Sequence, residues 1–324
     1  MLSSATDFIY NSGMSIHLSI DSLLANIARV LRGKPEVIKL AGVGLLAEGH
    51  LLIEDVPGVG KTLLARALAR SIGGTFRRIQ FTPDLLPSDI IGTNVFNAQS
   101  GSFSFKHGPV FANVVLADEV NRTTPRTQSA LLEAMNDRQV TVDGHTYPLQ
   151  PPFMVLATQN PFEFEGTYAL PESQLDRFML RIRVGYPRRT DELQLLADHR
   201  RGEPIDELEQ VLTPAEVLSL QAAVREIRIE ESLLGYLMDI VDATRRCGEL
   251  HVGASPRGGL FLFRAAQALA MVEKRDYVIP DDIKRLATPV LAHRVIGKSF
   301  LQDGDAGQAD SLIRNLVEQV QVPE

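Results

Sequence analysis

The sequence predicts an α/β fold in which a parallel sheet is covered by helices, carries hairpin insertions and is followed by an all-α domain. Three observations lead there. Short strand candidates at 50–55, 77–81, 114–118, 153–158 and 180–184 alternate with helical or irregular stretches, as in a helix-covered parallel sheet. The first run empties into Val56-Pro57-Gly58-Val59-Gly60-Lys61-Thr62 and at once into a helical pattern over 63–71. From Pro187 onward strand signals vanish, and amphipathic stretches take over at 191–200, 215–227, 232–247, 260–274 and 283–292. At 324 residues the chain exceeds one comfortable core, so two domains are expected, 1–187 and 188–324.

The first part opens with helices. Leu23, Leu24, Ile27, Val30 and Leu31 recur at helical spacing, and 37–46 repeats the signal before the first strand. Two stretches interrupt the later rhythm. Residues 94–105 centre on Ser100-Gly101, and 139–149 set Asp143-Gly144 between alternating residues. Both read as hairpins, because Asp-Gly favours the positive-φ turn that matches strand twist. In the second part Tyr186-Pro187-Arg188-Arg189-Thr190 reads as a short linker with Thr190 as helix N-cap. Asp281-Asp282 after Pro280 opens another helix, and 310–320 adds the last.

Composition narrows the function classes. A hydrophobic content of 44% with 23% charged residues is ordinary globular material. The net charge of −7, from 33 basic against 40 acidic residues, supplies no overall field for nucleic acid or an anionic membrane. A single cysteine, Cys247, excludes an intrachain disulfide framework and fits a reducing compartment. The N-terminus lacks a basic stretch followed by an apolar core, and no apolar run reaches the roughly 18 residues of a membrane span. A cytoplasmic location is expected. The seven histidines are scattered without metal-ligand spacing.

Three segments carry chemistry. In the loop at 56–62 the glycines let backbone N–H groups turn onto phosphate oxygens, the Lys61 ammonium reaches the terminal phosphates, and the Thr62 hydroxyl can hold Mg2+. The pattern G-x-x-x-x-G-K-[ST] is met except at its first glycine, which is Asp55. An ordinary strand-to-helix turn would share some of these residues. Next, the apolar run Val114-Val115-Leu116-Ala117 ends in Asp118 and Glu119, which places both carboxylates at a strand's C-terminal edge, where open α/β sheets bind ligands. Asp118 would hold hydrated Mg2+, and Glu119 would orient and polarise the water that attacks the γ-phosphate. Last, Asn160 follows the strand at 153–158. Its amide can bond the γ-phosphate or the attacking water, although Asn160-Pro161 alone would also start a turn.

Together these residues resemble an AAA+ ATPase, and more closely the MoxR family of that superfamily. The resemblance rests on blocks in order: the phosphate loop (Walker A), residues 78–89, Ala117-Asp118-Glu119-Val120-Asn121-Arg122 (Walker B), residues 128–135, Ala157-Thr158-Gln159-Asn160-Pro161, Leu170 through Leu175-Asp176-Arg177-Phe178, and Gly253-Ala254-Ser255-Pro256-Arg257. It spans roughly 21–298. The resemblance implies that ATP with Mg2+ binds between subunits of a ring, expected to be a hexamer. It assigns Asp55, Val56, Pro57, Gly58, Val59, Gly60, Lys61, Thr62, Leu63 and Asp118 to nucleotide binding, with Thr62 and Asp118 at the metal. Glu119, Lys61, Asn160, Arg177 and Arg257 are the catalytic set. In it Asn160 is the first sensor, Arg177 a finger reaching the neighbour's nucleotide, and Arg257 the second sensor, on the lid.

From residues alone, Arg177 would read as a surface salt bridge with Asp176 or its neighbours, and Ser255-Pro256-Arg257 as a plain helix start. Arg122 is the alternative trans-acting arginine. The same resemblance puts both hairpins toward the ring's channel, with static subunit packing as the other reading. It further implies a chaperone-like motor that matures partner proteins, often ones with a von Willebrand factor A domain, or aids metal cofactor insertion. A nucleic-acid motor and a nucleotide-gated scaffold of low turnover are the alternatives. No Asn-Lys-x-Asp motif for reading guanine is present.

Overall fold

The computed structural model describes residues 4–99, 101–160, 168–198, 204–298 and 306–323. Its centre is a five-stranded parallel sheet. The strands are β1 (Leu51–Glu54), β2 (Phe76–Gln80), β5 (Val114–Asp118), β8 (Met154–Gln159) and β9 (Leu180–Ile182), in spatial order β2-β5-β8-β1-β9. Parallel pairing sets Leu116 beside Leu156 and Leu51 beside both Leu156 and Leu180. Helices must then cover both faces, which is why the inner strands β1, β5 and β8 read as near-continuous apolar runs, while the edge strands β2 and β9 carry Arg77, Arg78, Gln80 and Arg181.

The two faces feed separate cores. Leu51, Ile53, Leu116 and Leu156 face a core built with α1 (Ser4–Ala28), α2 (Pro35–Leu46) and α3 (Lys61–Ser71). Leu52, Val115, Ala117 and Val155 face a second core under α4 (Pro87–Ile91) and α5 (Pro125–Asp137). Each fully buried Leu or Ile contributes about 1.5–3 kcal/mol of transfer free energy. Asn26 on α1 donates to Ser71 Oγ of α3 at 3.0 Å, so the N-terminal helix is tied polar-to-polar as well as by packing.

Both expected interruptions are antiparallel hairpins. β3 (Gly92–Asn97) pairs β4 (Ser102–His107), and β6 (Gln139–Val142) pairs β7 (His145–Pro148). Asp143 and Gly144 have φ of 50° and 79°, the positive values that a tight two-residue turn needs. Ser100 and Pro161 lie outside the described residues. The hairpins are joined side by side: Phe105 stacks on Tyr147 at 4.0 Å between centroids, and Asn94 Nδ2 donates to Asp143 Oδ2 at 2.7 Å.

After the short helix α6 (Glu172–Leu175) and β9, the chain is mostly helical: α7 (Arg189–Asp198), α8 (Pro214–Val224), α9 (Glu231–Arg246), α10 (Pro256–Val272), α11 (Pro280–Leu291) and α12 (Ala306–Gln319). Residues 199–200, expected to end the first of these helices, lie outside the described residues. Two expectations are corrected. The region is not strand-free, because β10 (Leu250–Val252) pairs antiparallel with β11 (Ile296–Gly297) across distant sequence. Such short strands carry too few residues to show a period. Thr190 is not an N-cap, since α7 already begins at Arg189. Ser255 does cap α10, accepting from Gly258 N at 3.1 Å. At α11, Asp282 accepts from Ile279 N at 2.9 Å and forms a two-pronged ion pair with Arg275. The first apolar core runs on through α2 into α8, α10 and α11 without a break. No helix among the described residues is long and apolar enough to cross a membrane.

His50, at the entry to β1, is enclosed between sheet and helix. Its Nδ1 accepts from Val155 N at 3.0 Å, so Nε2 carries the proton and donates to Met135 O at 3.0 Å. Burial pushes its pKa down to about 4. The folded state holds this ring neutral while the unfolded chain protonates it near 6.5, so stability is present above that pH and falls as pH drops toward 4. The loss amounts to about 3 kcal/mol across the window. In urea unfolding at pH 4.5–7, His50→Gln should flatten the pH slope by about one proton; an unchanged slope would contradict the assignment.

Candidate active site

The turn from β1 into α3 shapes the loop at 56–62. Gly58 and Gly60 hold φ of 84° and 100°, which side chains resist. A Cβ on Gly58 would meet no atom within 4 Å, so that glycine is needed for backbone direction rather than for room. Gly60 is the N-cap of α3, so the helix's first-turn N–H groups and its positive dipole end are presented at the loop. The Val56 and Val59 side chains pack against the core, which leaves their backbone to form the loop.

Asp55, where the phosphate-loop pattern has glycine, has a defined task. Its carboxylate accepts from Val56 N at 2.9 Å and from Gly185 N at 2.5 Å, while its carbonyl accepts from Lys61 Nζ at 2.7 Å. The side chain thus ties the start of the loop to the segment that leaves the sheet for the helical region. Glycine could not make that tie.

β5 delivers the acid pair beside the loop. Thr158 Oγ1, from neighbouring β8, donates to Asp118 Oδ1 at 2.7 Å and accepts from Glu119 N at 2.9 Å. The other oxygen, Asp118 Oδ2, accepts from Arg78 Nε at 3.0 Å and from the same guanidinium's Nη2. Arg78 Nη2 also donates to Gln80 Oε1, and Gln80 Nε2 donates to Glu119 Oε2, both at 2.8 Å. Arg122 lies 3.4 Å from Glu119 Oε2. Glu119 has φ 58° and opens a 3-10 turn over Val120–Arg122, a left-handed conformation uncommon for a residue with a side chain.

A cavity of about 470 Å³ joins these parts. Pro57, Gly58, Gly60, Lys61, Thr62 and Leu63 line it together with Asp118, Glu119 and Asn160, so three separated segments meet in one place. Asn160 is buried at the end of β8. Apolar lining comes from Val30, Leu195, Pro204 and Ile205. An apolar wall beside phosphate-binding groups suits a nucleotide's base and phosphates respectively. The Thr62 hydroxyl and the Asp118 carboxylate are hard oxygen donors of the kind Mg2+ takes.

Arg177 and Arg257 are not part of that lining. Both line a second cavity, of about 310 Å³, with Glu48, Asn136, Asp137 and Arg138. Arg177 Nη1 donates to Leu132 O at 3.0 Å, and its buried Nε has no hydrogen-bond partner among the described residues. The salt bridge to Asp176 belongs instead to the helical region. Asp176 lies 3.7 Å from Arg257, accepts from Ser255 Oγ at 2.7 Å, and accepts from Arg294 Nε at 3.1 Å. Burial pushes the Arg294 pKa down to about 10, against the pull of Asp176, and leaves it cationic at neutral pH.

Several lining residues were not singled out by the sequence. Arg78 and Gln80 had a signal in the block at 78–89, where they alternate on one strand, but it took the register to put Gln80 opposite Asp118. Val30, Leu195, Pro204 and Ile205 had none, because they arrive from remote segments.

A strand-loop-helix phosphate site, an acid pair at the end of β5 with β8 between it and β1, and a following helical domain define the class of AAA+ ATPases. The model of the "ATPase family associated with various cellular activities (AAA)" matches residues 50–180, and that of the AAA lid domain matches 242–316. Within that class, this chain belongs to the MoxR family. It is 42% identical to Chaperone MoxR1 of Mycobacterium tuberculosis over 86% of this chain and 76% of that protein. It is 48% identical to the uncharacterized protein YeaC of Bacillus subtilis, over 95% and 96% of the two chains. A crystal structure from Cytophaga hutchinsonii, 38% identical, superposes with a TM-score of 0.90 over 98% of this chain and 99% of its own.

Thr158→Val keeps the shape of a buried side chain but leaves Asp118 Oδ1 and Glu119 N–H without their shared partner. A loss of about 1–3 kcal/mol in urea unfolding is expected. A change below the error of the extrapolation would show that solvent replaces the hydroxyl.

Proposed function

We propose that this chain hydrolyses ATP with Mg2+ at subunit interfaces of a ring, taken to be hexameric, and uses the cycle to remodel or mature partner proteins. The observation that carries the reading is the single cavity joining Lys61 and Thr62 to Asp118, Glu119 and Asn160. Lys61 would leave its bond to the Asp55 carbonyl for the terminal phosphates. Thr62 and Asp118 would hold Mg2+, which neutralises charge building on the phosphates. Glu119 would orient and polarise the attacking water, and Asn160 would report the γ-phosphate's presence.

The placement of Arg177 and Arg257 supports a shared site. Both line one cavity away from the phosphate loop, so we assign that face to the loop cavity of the next subunit. There Arg177 is the finger and Arg257 the lid sensor, with Asp176 coupling them to Ser255 and Arg294. A guanidinium at the developing γ-phosphate charge contributes on the order of 10^3 to 10^5 in rate. The working division is a nucleotide-binding core over 1–187 and a lid over 188–324.

The β3–β4 hairpin supports a protein client. Its Phe96 and Phe103 are 55% and 71% exposed, side by side at 5.2 Å, an apolar surface that water alone does not favour. The relative named Chaperone MoxR1 points the same way. We take the chain to act in the cytoplasm on a client with a von Willebrand factor A domain, with aid to metal cofactor insertion as a second task of the same motor. The acidic balance of the chain gives no support for nucleic acid.

Phosphate release and nucleotide binding test the reading. Glu119→Gln should keep ATP binding and lose turnover, and Lys61→Ala should lose binding. Unchanged phosphate release by Glu119→Gln would sink the assignment. Arg177→Ala should bind ATP normally without hydrolysing it, and mixing with Glu119→Gln subunits should restore activity. No recovery in confirmed mixed rings would make Arg177 structural.

A further inference from the structure

The geometry points to Arg78 as a built-in counter-cation that competes with the divalent metal for Asp118, so that loading the site requires its guanidinium to swing away. The inference rests on the nucleotide site proposed above. Asp118 ends β5 and lines the cavity, and both of its oxygens are engaged. Oδ1 takes the Thr158 hydroxyl at 2.7 Å, and Oδ2 takes both Nε and Nη2 of Arg78. A hard cation needs one of those oxygens.

The two partners differ in how easily they yield. Thr158 is fully buried in β8, and its hydroxyl also holds Glu119 N. Its bond is therefore fixed by two strands. The Arg78 side chain is 49% exposed on the edge strand β2, and it lines the same cavity as Lys61 and Thr62. Oδ2 is thus the oxygen that a metal can claim, and Arg78 the group that must give it up.

Displacement would be felt at Glu119 too. Arg78 Nη2 donates to Gln80 Oε1, and Gln80 Nε2 donates to Glu119 Oε2, so the guanidinium fixes which way that amide faces. When Arg78 leaves, the amide loses the donor that orients it. Arg78 is a positioning residue in this scheme: before loading it neutralises Asp118, whose charge would otherwise stand uncompensated beside Glu119.

The test uses the full chain and reads binding, not turnover. Mg2+ is titrated against a fixed concentration of a fluorescent ATP analogue, with anisotropy as the signal, for the parent, Arg78→Gln, Arg78→Lys and Asp118→Asn. Arg78→Gln should reach half-saturation at about fivefold lower Mg2+, the scale of an exposed ion pair. Arg78→Lys keeps the charge and should stay within about twofold of the parent. A residue that only supports packing would not sort the two variants by charge. If the parent responds to Mg2+ and Asp118→Asn blunts that response, yet Arg78→Gln needs as much Mg2+ as the parent or more, the Arg78 role is overturned and the site reading stands. Binding by the parent that ignores Mg2+ altogether overturns both.

Discussion

The arrangement depends on keeping two adjacent carboxylates, Asp118 and Glu119, at the end of a strand buried on both faces. A sheet interior is a poor solvent for charge, and like charges side by side raise the cost further. The structure meets that constraint from three directions. β8 supplies the Thr158 hydroxyl, β2 supplies Arg78 and Gln80, and the turn after β5 supplies Arg122. Strand order follows the same need, because β2 and β8 are the two neighbours of β5. The sheet is thus the frame of the fold and also the support of the acid pair.

A second, smaller constraint joins the sheet to the helical region. Asp55 reaches Gly185 at the exit from the sheet, and Asp176 gathers Ser255 and Arg257 from the start of α10 and Arg294 from beyond α11. Both acids sit next in sequence to nucleotide-site candidates: Asp55 opens the loop and Asp176 precedes Arg177. Rotation of the helical region would therefore pull on both ends of the proposed shared site. The continuous apolar core through α2 gives such movement a packed surface to work against rather than a loose tether.

Much of the fold was legible because its elements carry strong local periodicity. The inner strands β1, β5 and β8 are mostly apolar, the Asp143-Gly144 turn demands positive φ, and the glycines at 58 and 60 announce a backbone path that few residues tolerate. Legibility failed where local signal was weak. β10 and β11 are three and two residues long and meet only through a distant pairing. Thr190 has the chemistry of a cap, but the helix starts one residue before it. The loop pattern departs from glycine at Asp55, and nothing local explains why, because the partner Gly185 lies 130 residues away.

The sequence by itself determined the class of fold and the chemical types in the site, because strand pattern, loop glycines and the order of Lys61, Thr62, Asp118, Glu119 and Asn160 are local or ordinal properties. Tertiary structure alone decided which groups share a cavity. It brought Arg78 and Gln80 onto the acid pair, closed the cavity with Val30, Leu195 and Ile205, and set Arg177 and Arg257 together on a different face. Spacing along the chain carries no information on such meetings, since they follow from strand order and from helix packing over long sequence distances.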